Sequence, residues 1–244
     1  MTPAVSVLMP CHNGAAWLAE AIASVLAQTE TDLELIVVDD GSTDTTHEIL
    51  EHYEARDSRL IVLALGTSVG VTRALNAGLW LCRAPLVARL DADDVMRRDR
   101  LTVQRAYLEQ HPTVGVVGSW SLLRWLDGRV TLDQSPVSSE EIRRTLRRRN
   151  PIAHPTVMMR RALLERVGWY DESFQVAQDY DCWARLSRIT DLANLPMALT
   201  IRHMHPGQVS RRRTWARRWA QTRVRARLYG AEWFRVPTSW TVTA

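Results

Sequence analysis

Two hydrophobic periods alternate through the first hundred residues of this sequence, and that alternation leaves few folds open. Val5-Ser6-Val7-Leu8-Met9 is a short apolar run closed by Pro10. Between residues 14 and 28, apolar side chains recur at Trp17, Leu18, Ala21, Ile22, Val25 and Leu26, the stripe of an amphipathic helix. Leu33 to Val38 reads as a second strand, and Thr45-x-x-Glu48 as a capping box opening a helix through Tyr53. Leu60 to Leu63 is the third strand, Val71 to Leu81 is helical, and Pro85 to Leu90 is the fourth strand. Such alternation predicts right-handed βαβ crossovers and a mostly parallel sheet with helices on both faces. The class is α/β with a Rossmann-like first half.

The second half is less regular. A helix over 98–110 precedes a strand at Val114 to Gly118, and Ser138-x-x-Glu141 caps a helix that runs into the basic stretch Arg143 to Arg149. Residues 155–159 and 197–201 are strand-like, and 179–188 are helical. A basic, tryptophan-bearing helix over 209–229 closes the pattern. With no internal repeat or linker, the expectation is one main unit over 1–210. Its donor half runs to about 110 and its acceptor half over about 111–210, followed by a basic helical tail at 211–244.

Composition narrows the function. An apolar content of 46% with 24% charge excludes a disordered chain. No apolar run approaches the roughly 20 residues of a membrane helix, and the first residues lack the pattern of a signal peptide. Three scattered cysteines without a CxxC fit a reducing compartment and no structural zinc. A soluble cytoplasmic protein is expected. All 31 basic residues are arginine, which excludes a lysine Schiff base and a P-loop lysine.

In open parallel sheets, ligands sit beyond the carboxyl ends of the strands. Two of those ends are acidic: Asp39-Asp40-Gly41-Ser42 and Asp91-Ala92-Asp93-Asp94. Asp is also a turn former, so the first cluster reads equally as a solvated turn. The Asp91-x-Asp93 spacing is more specific. Two carboxylates two residues apart past a strand can converge on one hard divalent cation whose shell phosphate oxygens complete.

These segments, taken in order, resemble family 2 glycosyltransferases. The run from Val5 to Gly14, Glu34 to Asp44, Leu75 to Leu79, Ala88 to Asp94 and Arg100-Leu101 match the family's nucleotide-binding half. Asn150 to Val157, Val167 to Glu172 and Gln178 to Leu186 continue the match into the acceptor side. The resemblance implies a GT-A fold and an inverting transfer from a nucleoside-diphosphate sugar, expected to be UDP-linked, to an acceptor hydroxyl. The acceptor implied is a saccharide or lipid-linked saccharide in cell-surface polysaccharide or glycoconjugate assembly.

Residue by residue, Asp40 is similar to the aspartate that binds the base, and Pro10 and His12 to positions flanking base and ribose. Asp91 resembles the ribose- or metal-side aspartate of the D-x-D motif, Asp93 the direct ligand of Mn2+ or Mg2+, and Asp94 is placed to share that role. His205 aligns with a histidine near the diphosphate or metal, and a solvated surface histidine remains the alternative. His154 is expected to line the acceptor pocket, or to be a turn histidine. Arg73 and Arg89 are placed to meet phosphates, or to lie on the surface. Trp169, Tyr170 and Trp183 are read as acceptor-stacking or core residues. Asp179 resembles the catalytic base, and its place at a helix start is expected to keep it ionised. Departures from the family pattern are Gln178 where Glu is usual, Arg98 where Pro is usual, and the altered segment Arg202 to Gln208.

Residues 211–229 carry eight arginines and no acid. Trp215, Trp219, Thr222, Ala226 and Tyr229 share one helical face, expected to dock on the domain. The other readings are peripheral attachment to an anionic membrane at its inner face, and phosphate or nucleic-acid binding. A nucleic-acid module conflicts with the two carboxylate clusters, which would repel a polyanion. A sugar nucleotidyltransferase would carry a Gly-rich basic N-terminal loop, which Pro10 to Gly14 is not.

Overall fold

The computed structural model describes residues 2–206 and 214–230. Strands β1 (Val5–Cys11), β2 (Leu33–Asp39), β3 (Leu60–Ala64) and β4 (Leu86–Arg89) lie parallel in the order β3-β2-β1-β4. Helices α1 (Leu18–Leu26), α2 (Thr46–Glu54) and α3 (Val71–Leu81) make the crossovers. Period-2 alternation sorts the strand side chains between the two faces. Val5, Val7 and Met9 pack with Leu18, Ile22 and Val25 of α1, whereas Leu8, Ile36 and Val38 pack with Ala74, Leu75 and Leu79 of α3. A glycine lets α3 close on the sheet: a Cβ at Gly78 would stand 2.3 Å from Leu8 Cδ1 and 2.7 Å from Val38 Cγ2.

The chain continues through β5 (Asp94–Met96), α4 (Arg100–Gln110), β6 (Val114–Trp125), β7 (Val130–Asp133) and α5 (Ser139–Leu146). A 3-10 turn (His154–Thr156), β8 (Met158–Arg160), α6 (Arg161–Val167), α7 (Gln178–Leu186), β9 (Asp191–Met204) and α8 (Thr214–Leu228) follow. Among the described residues the sheet runs β3-β2-β1-β4-β8-β6-β9-β5, with β7 on β6. The three-residue β8 is antiparallel to both β4 and β6, and so joins the parallel first half to the second.

Three elements escape the sequence pattern. β5 is three residues long, β7 is solvent-facing, and α6 follows β8 directly. The strand expected at 197–201 is the end of a fourteen-residue β9. Pro196 hides the continuity, because Ser119 pairs with Leu195 and Trp120 with Ala198. Pro196 and Met197 therefore bulge out where no ladder donor is needed. The Ser138–Glu141 capping box forms. The one at Thr45 does not: Asp44 accepts hydrogen bonds from the Thr46 N–H and hydroxyl instead.

The tail helix is docked by a different face from the one expected. Ala220 and Val224 are buried, whereas Trp215 is 79% exposed, Trp219 55% and Tyr229 67%. Arg227 explains the choice. Its Nη1 reaches Asp171 Oδ2 at 2.8 Å and Asp181 Oδ1 at 2.6 Å, and Asp181 is fully buried. Arg223 and Arg227 also lie over the Phe174 ring, at 4.2 and 4.9 Å from its centroid. Charge-assisted bonds to a buried carboxylate outweigh burial of two tryptophans that tolerate an interface with water. All three cysteines are free and buried, and burial pushes each thiol up to about 12.

Candidate active site

The loops after β1, β2, β3 and β4 meet at one edge of the sheet, the edge where parallel strands present ligands. They are tied together by side chain to backbone bonds. Asn13 N donates to Ser42 Oγ at 2.9 Å, Thr43 N to Asn13 Oδ1 at 2.8 Å, and Gly14 N to Thr46 Oγ1 at 2.9 Å. Gly41 has φ +68°, and a Cβ there would meet the Thr67–Ser68 backbone at 2.6 Å, so the loop after β2 needs glycine at that corner.

Asp40 is buried and holds this edge. It accepts from Val69 N at 2.7 Å, Gly70 N at 3.0 Å and Ser68 Oγ at 2.8 Å, fixing the entry to α3. Three of about four acceptor positions are thereby filled, leaving one. His12 is exposed beside it, with Nδ1 2.8 Å from the Asp40 carbonyl, and Pro10 lies two residues earlier, partly accessible.

Beyond β4 the chain turns back at once, Asp94 N donating to Asp91 O at 3.1 Å. That turn brings carboxylate oxygens of Asp91, Asp93 and Asp94 within 4.8 Å of one another. Burial drives the Asp94 carboxyl well above its ordinary range, and the Asp91 and Asp93 charges push the same way. The Arg202 and Arg89 cations pull it back in part, and hard oxygen donors at this separation fit a divalent cation.

His205 stands outside this trio. Its Nε2 is 2.9 Å from Asp93 Oδ2, at the margin of the cluster. His203 supports the turn from β9: its N–H donates to Asp94 Oδ1 at 3.1 Å, and its Nδ1 donates to the Asp93 carbonyl at 2.6 Å. Trp17 stacks on both rings, at 4.8 Å from His203 and 5.5 Å from His205.

The acceptor-side residues gather under the same edge. Asp179 is the second residue of α7, with Ala177 (φ +61°) at the cap position. Its Oδ2 accepts from Asn150 Nδ2 at 2.6 Å and its Oδ1 from Tyr180 N at 2.8 Å. Burial outweighs the helix terminus and raises this carboxyl, while the Tyr180 N–H, Asn150 and the Arg89 and Arg217 cations pull it back. Desolvation at this helix start thus works against the ionising effect of the helix terminus.

His154 is 6% exposed, bonded through Nε2 to the Tyr170 hydroxyl at 2.8 Å. Burial and the Arg89 charge keep it neutral. Trp183 and Tyr170 belong to the core, and Arg73 pairs with Glu172 at 3.3 Å rather than facing the donor edge.

The family model for "Glycosyl transferase family 2" matches residues 6–168, which span this whole donor edge. The chain belongs to family 2 of the glycosyltransferases. Among relatives of the transferase, the amylovoran biosynthesis glycosyltransferase AmsE of Erwinia amylovora is 30% identical over 199 residues, covering 81% of this chain and 74% of the relative. Two solved structures share its fold. One is residues 1–349 of S. aureus TarS in complex with UDP (TM-score 0.72, 24% identity, covering 93% of this chain and 65% of that one). The other is the mannosyltransferase PcManGT of Pyrobaculum calidifontis in complex with GDP-Man and Mn2+ (TM-score 0.72, 21% identity, 97% and 66%). The transferase is therefore of GT-A type.

Four residues of the transferase's site do more than the sequence shows. Arg89 was placed at the donor edge or on the surface, yet it is 3% exposed, salt-bridged to Asp91, and its charge is felt at Asp179, His154 and Tyr170. Its position as the last residue of a fully buried strand was the available signal. Asn150 and His203 carried no signal of their own, because each acts through a partner 29 or more residues away. Arg100 was read only as part of a motif. It is fully buried and bonds the carbonyls of Arg89, Pro155 and Val157, pinning β4 to the segment that carries His154.

Proposed function

We propose that this chain transfers a sugar, with inversion, from a UDP-linked donor to a hydroxyl of a saccharide or lipid-linked saccharide acceptor. The setting is cytoplasmic, in the assembly of a cell-surface polysaccharide or glycoconjugate. The observation that carries this reading is the convergence of Asp91, Asp93 and Asp94 within 4.8 Å at the donor edge. Names of relatives and neighbours support it: one for amylovoran biosynthesis, another solved with UDP.

In this reading Asp40 and His12 receive the base and ribose, with Pro10 as the floor beside them. Asp93 and Asp91, with Asp94 beside them, would hold Mn2+ or Mg2+, which would supply neutralising charge at the diphosphate. His205 fixes the Asp93 carboxylate. Asp179 takes the proton of the acceptor hydroxyl as its oxygen attacks the anomeric carbon opposite the departing diphosphate. The Asn150 bond holds Asp179 Oδ2 in place for that proton.

Product analysis tests the class of reaction. Incubation with UDP-sugars, acceptor extracts and Mn2+ is expected to release UDP in step with glycosylated product. Release of pyrophosphate from nucleoside triphosphate and sugar phosphate would instead make the chain a nucleotidyltransferase.

A further inference from the structure

The docked tail helix leaves one long face to solvent, and its chemistry is uniform. Trp215, Trp219, Thr222, Ala226 and Tyr229 recur at spacings of four, three, four and three residues, so they form one stripe. The docking residue Ala220 lies five residues beyond Trp215, about 140° around the axis, and Val224 and Arg227 follow it on that side. The stripe and the docking face therefore point in opposite directions. Trp215, Trp219 and Tyr229 are each more than half exposed. Arg218 and Arg225 border the stripe on one side, and no acid occurs between residues 209 and 229.

We propose that this stripe rests on an anionic lipid surface. Tryptophan and tyrosine are the side chains that settle at a headgroup boundary, one end apolar and the other wet. Bordering arginines gain from a negative leaflet, and the absence of acid removes the opposing repulsion. The inward face is the second half of the argument. Arg227 joins α8 to Asp181, two residues from Asp179, and Arg223 bonds Ser173 in the loop before α7. A surface engaged by the outer face thus lies about one helix diameter from the acceptor half. This deepens the reading of a lipid-linked acceptor, and rests on that reading only for what the surface delivers.

Cosedimentation of the full chain with vesicles tests the proposal. With phosphatidylglycerol–phosphatidylcholine vesicles the chain is expected to pellet, and with phosphatidylcholine alone to stay in solution. Arg218→Gln with Arg225→Gln is expected to weaken the first binding about 30-fold, from about 1 kcal/mol for each arginine near such a surface. Trp215→Ala with Trp219→Ala is expected to weaken it about tenfold or more. All four positions lie off the docking face, so the melting midpoint of both variants is expected near that of the parent.

Equal pelleting with both vesicle types, no pelleting with either, or unchanged binding by both variants overturns the proposal. A dimer in light scattering that dissociates on the tryptophan substitutions, without vesicle binding, would assign the stripe to a second copy and overturn it too. Binding is read without donor. Failure of sugar transfer to a soluble acceptor would count against the transferase reading and leave the vesicle result standing.

Discussion

At the residue scale the site depends on how burial sets charge. Asp179→Asn keeps the size and the contact to Asn150 but cannot accept a proton. Transfer is expected to fall about 10²–10⁴-fold while donor affinity, read by calorimetry, stays near the parent value. Because burial raises the Asp179 carboxyl, the base is lost as pH falls through a value above the ordinary aspartate range. The acid limb of kcat/KM for acceptor should therefore lie above the ordinary aspartate range. Asp94 has the complementary consequence for stability. Its folded carboxyl keeps a proton to higher pH than the unfolded chain does, so the folded state binds more protons and stability falls as pH rises through that window. Mn2+ should offset this loss. Added at neutral pH it is expected to raise the melting midpoint of the parent and to do so much less for Asp93→Ala. An equal rise in both would detach Asp93 from the metal.

At the scale of elements, legibility followed periodicity. β1 to β4 with α1 to α3 were readable because each repeats its period over several residues, whereas β5 has three residues and β9 is interrupted by Pro196. The carboxylates Asp91 and Asp93 could be placed from the strand they follow. Arg89 is only half legible: its place at the end of a fully buried strand marks it, but its reach to Asp179 and His154 is set by the fold. The tail helix shows the same limit: its aromatic stripe was legible, but the direction it faces was decided by Asp171 and Asp181, more than 40 residues away. Replacing that decision is testable. Arg227→Met leaves Asp181 with Arg185 alone, bonded at 2.8 Å, and is expected to cost about 1–3 kcal/mol in urea denaturation. Combined with Asp181→Asn, the two losses should sum to more than the double variant shows, because both break the same bond.

At the scale of the molecule, the two halves are joined by pairings between segments far apart in sequence. β8 contributes three residues between β4 and β6, and Arg100 bonds across the same seam. The donor half could be inferred from its order of segments, but this seam is made of long-range pairings that no sequence period encodes. The buried thiols give a way to watch it. Cys11 sits at the end of β1, Cys82 just past α3 and Cys182 inside α7, each with its thiolate suppressed by burial. A thiol reagent can therefore react only when its neighbourhood opens, and the three sites act as separate clocks on donor edge, sheet flank and acceptor helix. Mass-resolved labelling of the unaltered chain would rank those openings, and UDP with Mn2+ should slow Cys11 before it slows Cys82. No label needs to be engineered, because the chain already carries one reporter in each region.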